Sequence, residues 1–133
     1  MIKTCVLSLL LGLGLAGCFV TNIGNSSDTC GEGDDCVCDG IGNCSRTCDG
    51  PNCEFGCQGT GTCTLTCDEG GCKASASGTG NTNFDCTGNG CKLTCAGEGN
   101  CNLTGCTKDC QIICQNTGNC SQTCTDPSCT TTH

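Results

Sequence analysis

From Cys44 to Cys129 the chain is ruled by a cysteine lattice. One series runs Cys44, Cys53, Cys63, Cys72, then Thr82 in place of a cysteine, then Cys91, Cys101, Cys110, Cys120 and Cys129. Its steps alternate between nine and ten, so the repeat is 19 residues long. A second series lies four residues further on: Cys48, Cys57, Cys67, Ala76 in place of a cysteine, Cys86, Cys95, Cys106, Cys114 and Cys124, with the one irregular step at Cys101 to Cys106. A fixed period of this size is the mark of stacked copies of one supersecondary unit, each unable to bury its apolar side alone.

Three residues separate the cysteines of each half-repeat, as in Cys63-Thr64-Leu65-Thr66-Cys67. With strand periodicity, both cysteines and the middle residue share one face and the flanking residues share the other. The middle residues are Arg46, Phe55, Leu65, Ala74, Phe84, Leu93, Leu103, Ile112 and Gln122. The interior members are apolar and the two end members are polar, as a solenoid requires when neighbouring rungs bury the inner column and solvent meets the ends. Gly and Asn fill the intervening stretches, such as Gly59-Thr60-Gly61 and Thr87-Gly88-Asn89-Gly90, where they reverse the chain at little steric cost. The expected fold is all-β, small and disulfide-rich: a narrow two-sided β-solenoid with 19-residue coils, two short strands and two turns in each. About four and a half coils at ~4.8 Å give a rod of roughly 22 Å. A chain of irregular disulfide knots is the alternative.

The composition explains why cysteine has to replace a conventional core. The 133 residues include no Trp, no Tyr and three Phe, against 22 Cys and 22 Gly. Hydrophobic burial of that kind cannot hold a chain of this size, so cross-links must supply the difference. The paired gap at Ala76 and Thr82 suggests which cysteines are joined. Those two positions are spaced like Cys57 and Cys63, Cys95 and Cys101, or Cys114 and Cys120, and loss of one bonded pair removes both. Extended along the lattice, the rule gives Cys38–Cys44, Cys48–Cys53, Cys67–Cys72, Cys86–Cys91, Cys106–Cys110 and Cys124–Cys129, with Cys30–Cys36 completing ten. Vertical bonds between stacked coils are the other geometry open to a solenoid.

The chain begins Met1-Ile2-Lys3 and is apolar from Cys5 to Ala16, the shape of an export signal and too short to span a bilayer as a helix. Leu15-Ala16-Gly17-Cys18 resembles the lipobox of bacterial lipoproteins. The resemblance implies a signal peptide at residues 1–17, cleavage before Cys18, and lipid on the Cys18 sulfur. Phe19 stands where that family uses aspartate to mark inner-membrane retention, which implies the outer membrane in a Gram-negative cell. Cys5 would leave with the signal and Cys18 would carry lipid, so twenty of the 22 cysteines remain to pair, consistent with an oxidising compartment. Residues 18–29 then read as the lipidated cysteine and a flexible tether, 30–43 as an acidic cysteine-containing lead-in, and 44–133 as the repeat domain.

Charge narrows the partners. Thirteen acidic residues face five basic ones, one of them Lys3, and the scarce aromatics offer no base-stacking platform, so no nucleic-acid partner is expected. His133 is the single histidine, and no nucleophile elbow or phosphate loop occurs; the chain is not expected to be an enzyme or to carry a cofactor. A thiolate metal cluster conflicts with the oxidising compartment. Glu32, Asp34, Asp35 and Asp39 form a small acidic group and are a weak calcium candidate, since calcium takes oxygen ligands. Thr47, Thr66, Thr104 and Thr123 recur at one outer position, interrupted by Asp85, and Ser45, Thr64, Asn83, Asn102 and Ser121 recur at another. In style these coils look like those of disulfide-rich insect antifreeze proteins, whose threonine array binds ice, although those have shorter coils and more uniform arrays. The expected role is a lipid-anchored extracytoplasmic structural or spacer module; the alternative is a surface module that binds an envelope or extracellular protein or glycan.

Overall fold

The computed structural model describes residues 25–115 and 118–133. Cys18 and the leader before it lie outside them, as does most of the expected tether. The described chain forms twelve strands: β1 (Ser26–Gly31), β2 (Asp35–Cys38), β3 (Cys44–Asp49), β4 (Glu54–Cys57), β5 (Cys63–Cys67), β6 (Lys73–Ala76), β7 (Thr82–Cys86), β8 (Lys92–Cys95), β9 (Cys101–Thr104), β10 (Gln111–Cys114), β11 (Cys120–Gln122) and β12 (Thr130–Thr132). Odd-numbered strands make one six-stranded sheet in the order β1-β3-β5-β7-β9-β11, and even-numbered strands make the other. All pairings are parallel. The chain thus alternates sheets at every turn, and the fold is the narrow two-sheet β-solenoid with 19-residue coils.

Register follows the lattice. Cys44 pairs with Cys63, Cys63 with Thr82, Thr82 with Cys101 and Cys101 with Cys120. The inner column lies where alternation puts it: Leu65, Phe84, Leu93, Leu103 and Ile112 are fully buried, and Phe55 and Ala74 nearly so. The small Ala74 stands opposite Cα partners Phe55 and Leu93 in its sheet, and the Phe55 and Phe84 rings meet edge to face, with centroids 5.7 Å apart.

Two boundaries differ from the sequence reading. Residues 26–29 are not tether, because β1 pairs with β3 from Ser26↔Cys44 through Gly31↔Asp49. Nor are residues 30–43 a separate lead-in, since β2 pairs with β4 at the regular offset. A first coil therefore precedes Cys44, and β12 carries the stack to Thr132. With six rungs in each sheet, the rod is about 29 Å long at ~4.8 Å per rung, longer than the expected four and a half coils. The inner column continues into this coil as Asp28, partner of Arg46. Arg46 donates from its guanidinium to the Val37 carbonyl in the other sheet at 3.3 Å, so charged and polar groups close the N-terminal end.

The irregular step at Cys106 is a bulge. Gly105 takes φ +74° after β9, and the following disulfide loop is one residue shorter than its neighbours, Cys106–Cys110 against Cys86–Cys91. Register is restored when Gln111 pairs with Lys92.

One row of turns repeats Gly-x-Gly: Gly40-Ile41-Gly42, Gly59-Thr60-Gly61, Gly78-Thr79-Gly80 and Gly97-Glu98-Gly99. These turns hydrogen-bond to one another, as Thr60 N–H to Gly40 O at 2.9 Å and Thr79 N–H to Gly59 O at 3.2 Å. Backbone therefore stacks directly on backbone. A Cβ at Gly80 would fall on the Gly61 carbonyl oxygen, whereas one at Gly33 would meet nothing within 4 Å and suffer only from φ +77°. Gly80→Ala should lower stability at the upper end of the roughly 1–3 kcal/mol overpacking range or beyond it, and Gly33→Ala by about 1 kcal/mol; guanidinium melts of the oxidised protein check the ranking.

Candidate functional site

The two edges of the flattened coil are lined by sulfur. Cysteines stand at or next to the ends of most strands, on the inward side, so the ends of facing strands bring them together across the turn. Along one edge the disulfides are Cys30–Cys36, Cys48–Cys53, Cys67–Cys72, Cys86–Cys91, Cys106–Cys110 and Cys124–Cys129. Along the other they are Cys38–Cys44, Cys57–Cys63, Cys95–Cys101 and Cys114–Cys120. These are the turn-closing pairs of the lattice rule. Their Cα separations run from 5.8 to 6.6 Å, inside the range a disulfide spans and well below the ~10 Å at which sheets pack over apolar side chains. Ala76 and Thr82 occupy the missing rung of the second edge, both buried.

Rungs of the first edge also touch vertically. Cys72 Sγ lies 3.8 Å from Cys48 Sγ. The sulfurs of Cys48, Cys53 and Cys72 lie within 4.8 Å of one another, as do those of Cys67, Cys86 and Cys91. Each trio combines one intact disulfide with a sulfur of the next, so in the oxidised protein neither presents the thiolates that a soft metal ion requires.

The acidic group does not assemble. Asp34 Oδ2 accepts the Gly31 N–H at 2.9 Å and the Asp34 N–H donates to Gly31 O, so this carboxylate closes a turn; Glu32 sits at that turn's exposed tip, Asp35 begins β2, and Asp39 is exposed beyond it. No three carboxylates among Glu32, Asp34, Asp35 and Asp39 converge within 4.8 Å. Spacing in sequence placed them together, but the strand between Asp35 and Asp39 moves them apart. An open recess of about 400 Å³ at this end is lined by Asp28, Asp34, Asp35, Val37 and Arg46 among others. At the other end, Ser128 donates its hydroxyl and its N–H to Asp126 Oδ1 at 2.6 and 2.9 Å, and these bonds hold the Asp126 carboxyl below the usual carboxylate range.

The outer face of the odd-numbered sheet is made of small polar residues in register, with Asp85 the one charged member of its two columns. Ser27, Ser45, Thr64, Asn83, Asn102 and Ser121 form one column, and Thr29, Thr47, Thr66, Asp85 and Thr104 form a second. Asn102 donates to Asn83 Oδ1 at 2.9 Å, and the Ser121 hydroxyl donates to Asn102 Oδ1 at 2.6 Å. Beside them runs an asparagine ladder at the turn: Asn100 N–H to Asn81 Oδ1 at 3.2 Å and Asn119 N–H to Asn100 Oδ1 at 3.1 Å. Sequence reading found the first two columns and missed the third, although Asn43, Asn81, Asn100 and Asn119 stand at 19-residue multiples. The even-numbered sheet is mixed by contrast, with Glu54, Lys73 and Lys92 stacked in one column and a Lys73–Glu54 ion pair at 3.4 Å.

No family model, curated protein or solved structure matches the chain.

Two measurements test this arrangement. Proteolysis of unreduced protein between Cys57 and Cys63 should leave the fragments joined by one disulfide, and recovery of a Cys44–Cys63 link from freshly oxidised protein would overturn the turn-closing set. Since Ala76 and Thr82 lie in register between bonded rungs, the double substitution Ala76→Cys with Thr82→Cys should add an eleventh bond and about 2 kcal/mol of stability from loop closure, read as a higher denaturation midpoint and no gain in free thiol.

Proposed function

We propose that the protein is a lipid-anchored extracytoplasmic structural module, a short rigid spacer held to a membrane through Cys18. The observation that carries this reading is the cross-linked stack itself: two parallel sheets tied together at both edges, with polar residues at each end of the inner column. Such a rod keeps its shape without a large apolar core, and short disulfide loops resist both unfolding and the local opening that proteases need. Because the first coil starts at Ser26, the segment between Cys18 and the rod is shorter than the boundary at residue 29 implied, and the module would stand close to the bilayer. Among the described residues no helix is long and apolar enough to cross a membrane, so attachment on this reading rests on the lipid. The outer membrane is the expected site in a Gram-negative cell, and neither catalysis nor nucleic-acid binding forms part of the role.

A binding role for the same rod is favoured by one observation, the Ser/Thr/Asn face of the odd-numbered sheet, which is interrupted by Asp85. Its columns, neutral apart from Asp85, offer hydrogen-bond donors and acceptors at each rung and would suit an envelope or extracellular protein or glycan.

Expression of the full chain in a Gram-negative host with a clickable fatty acid tests the anchor. The protein should take up label and sediment with membranes, and Cys18→Ala should abolish both; an unlabelled, freely released protein would overturn the reading.

A further inference from the structure

We propose that the disulfides Cys48–Cys53, Cys67–Cys72 and Cys86–Cys91 form a thiol–disulfide exchange ladder, along which a single thiolate moves from coil to coil inside the folded rod. The basis is the vertical sulfur contact: Cys72 Sγ is 3.8 Å from Cys48 Sγ, Cys53 completes that trio within 4.8 Å, and Cys67 lies within 4.8 Å of both Cys86 and Cys91. Exchange needs a thiolate within reach of a disulfide sulfur and able to approach roughly in line with the bond that breaks, and it involves no net oxidation or reduction. The inter-coil bonds it creates are also sterically available, because Cys67 and Cys86 are register partners and adjacent rungs are ~4.8 Å apart, within the Cα range of a disulfide.

The chemistry closes at each step. A thiolate on Cys86 attacks Cys67 Sγ; the Cys67–Cys86 bond forms, Cys67–Cys72 breaks, and the electron pair leaves on Cys72. The Cys72 thiolate then attacks Cys48 or Cys53; a second inter-coil bond forms, Cys48–Cys53 breaks, and the sulfur released takes up the proton that Cys86 lost. The number of disulfides is unchanged and the free thiol has moved two coils. All six side chains are buried, so the traffic is intramolecular and shielded from external thiols once the rod has formed. Its use is in oxidative assembly: in a chain left with a misplaced bond, and so with two unpaired cysteines, exchange can move one free thiol along the edge until it stands beside its turn partner, where the oxidising compartment's own oxidant closes the last bond. The second edge has no such continuity, since Ala76 and Thr82 break it between Cys57–Cys63 and Cys95–Cys101.

The test places a thiol at a chosen rung of the full chain. Cys91→Ser leaves Cys86 without its turn partner; the oxidised protein is held at neutral pH, quenched in acid, alkylated and mapped by mass spectrometry. With the four thiol positions near-equivalent, about one-quarter of the label should remain on Cys86, the rest lying on Cys72, Cys48 and Cys53, with a Cys67–Cys86 peptide recovered. Label confined to Cys86 would overturn the ladder. Cys53→Ser enters from the other end and should send label from Cys48 to Cys67 and to Cys86 or Cys91, which keeps the idea open to refutation if the first variant folds poorly. Cys101→Ser places a thiol on Cys95 beside the gap, and no label should reach Cys57 or Cys63; label there would mean general scrambling and would equally overturn the ladder.

Discussion

The separation of the two sheets is set by the disulfides at their edges. Cysteine Cα atoms facing one another across a turn stand 5.8 to 6.6 Å apart, much closer than sheets that pack over Leu and Phe. The cross-section is therefore pinched at both edges, and each strand has room for one substantial inner side chain, at its middle. That geometry accounts for a core made of a single column in each sheet, with sulfur filling the margins. Each short loop closed by a disulfide is worth roughly 2–3 kcal/mol in the chain-entropy picture, so cross-linking takes over the part that apolar area plays in larger domains.

Once the coils are stacked, the strand neighbours of a residue are those 19 before and 19 after it, except between β1 and β3, where the offset is 18. Side-chain choice is then made by columns. Gly40, Gly59, Gly78 and Gly97 stack where turn backbone touches turn backbone; Asn81, Asn100 and Asn119 stack where an amide can accept the next rung's N–H. Asn52, Gly71, Gly90 and Asp109 share the left-handed conformation just before a cysteine, and Asn, Gly and Asp are the residues that tolerate it. The ends obey a different rule because one neighbour is missing. Asp28 and Arg46 occupy the inner column at the start, and Gln122 and Thr131 at the finish, which discourages further rungs from adding to the exposed strand edges. The Gln122 side-chain oxygen has no partner there, a cost tolerated at an end and absent from the interior column.

Coil length, strand alternation, the inner column and the turn-closing cysteines were legible because each is a periodic property of the sequence. What escaped was local departure from the period. The first coil was hidden because β1 pairs with β3 at an offset of 18, with Ser26 opposite Cys44, and because Asp28 breaks the apolar column. The meaning of the long Cys101–Cys106 step depended on Gly105 adopting a bulge that a compressed turn then offsets. The acidic group failed for a related reason: proximity in sequence says nothing about convergence once a strand separates its members. Nothing periodic bears on Cys18, whose proposed role rests on resemblance alone.

The missing rung shows how cross-links and packing share the load. Ala76 and Thr82 fall in the middle of the rod, between Cys57–Cys63 and Cys95–Cys101, beside the fully buried Leu65, Phe84 and Leu93. Sheet separation at that level is already imposed by the bonded rungs above and below and by Cys67–Cys72 and Cys86–Cys91 on the opposite edge. A disulfide there constrains a loop whose ends are held in place by their neighbours. The same vacancy at either end would release a terminal coil whose inner column is polar and whose strands are paired on one side only. A lattice of this kind can therefore lose a bond at its centre more cheaply than at its ends, and the vacancy then confines sulfur-to-sulfur continuity to the other edge.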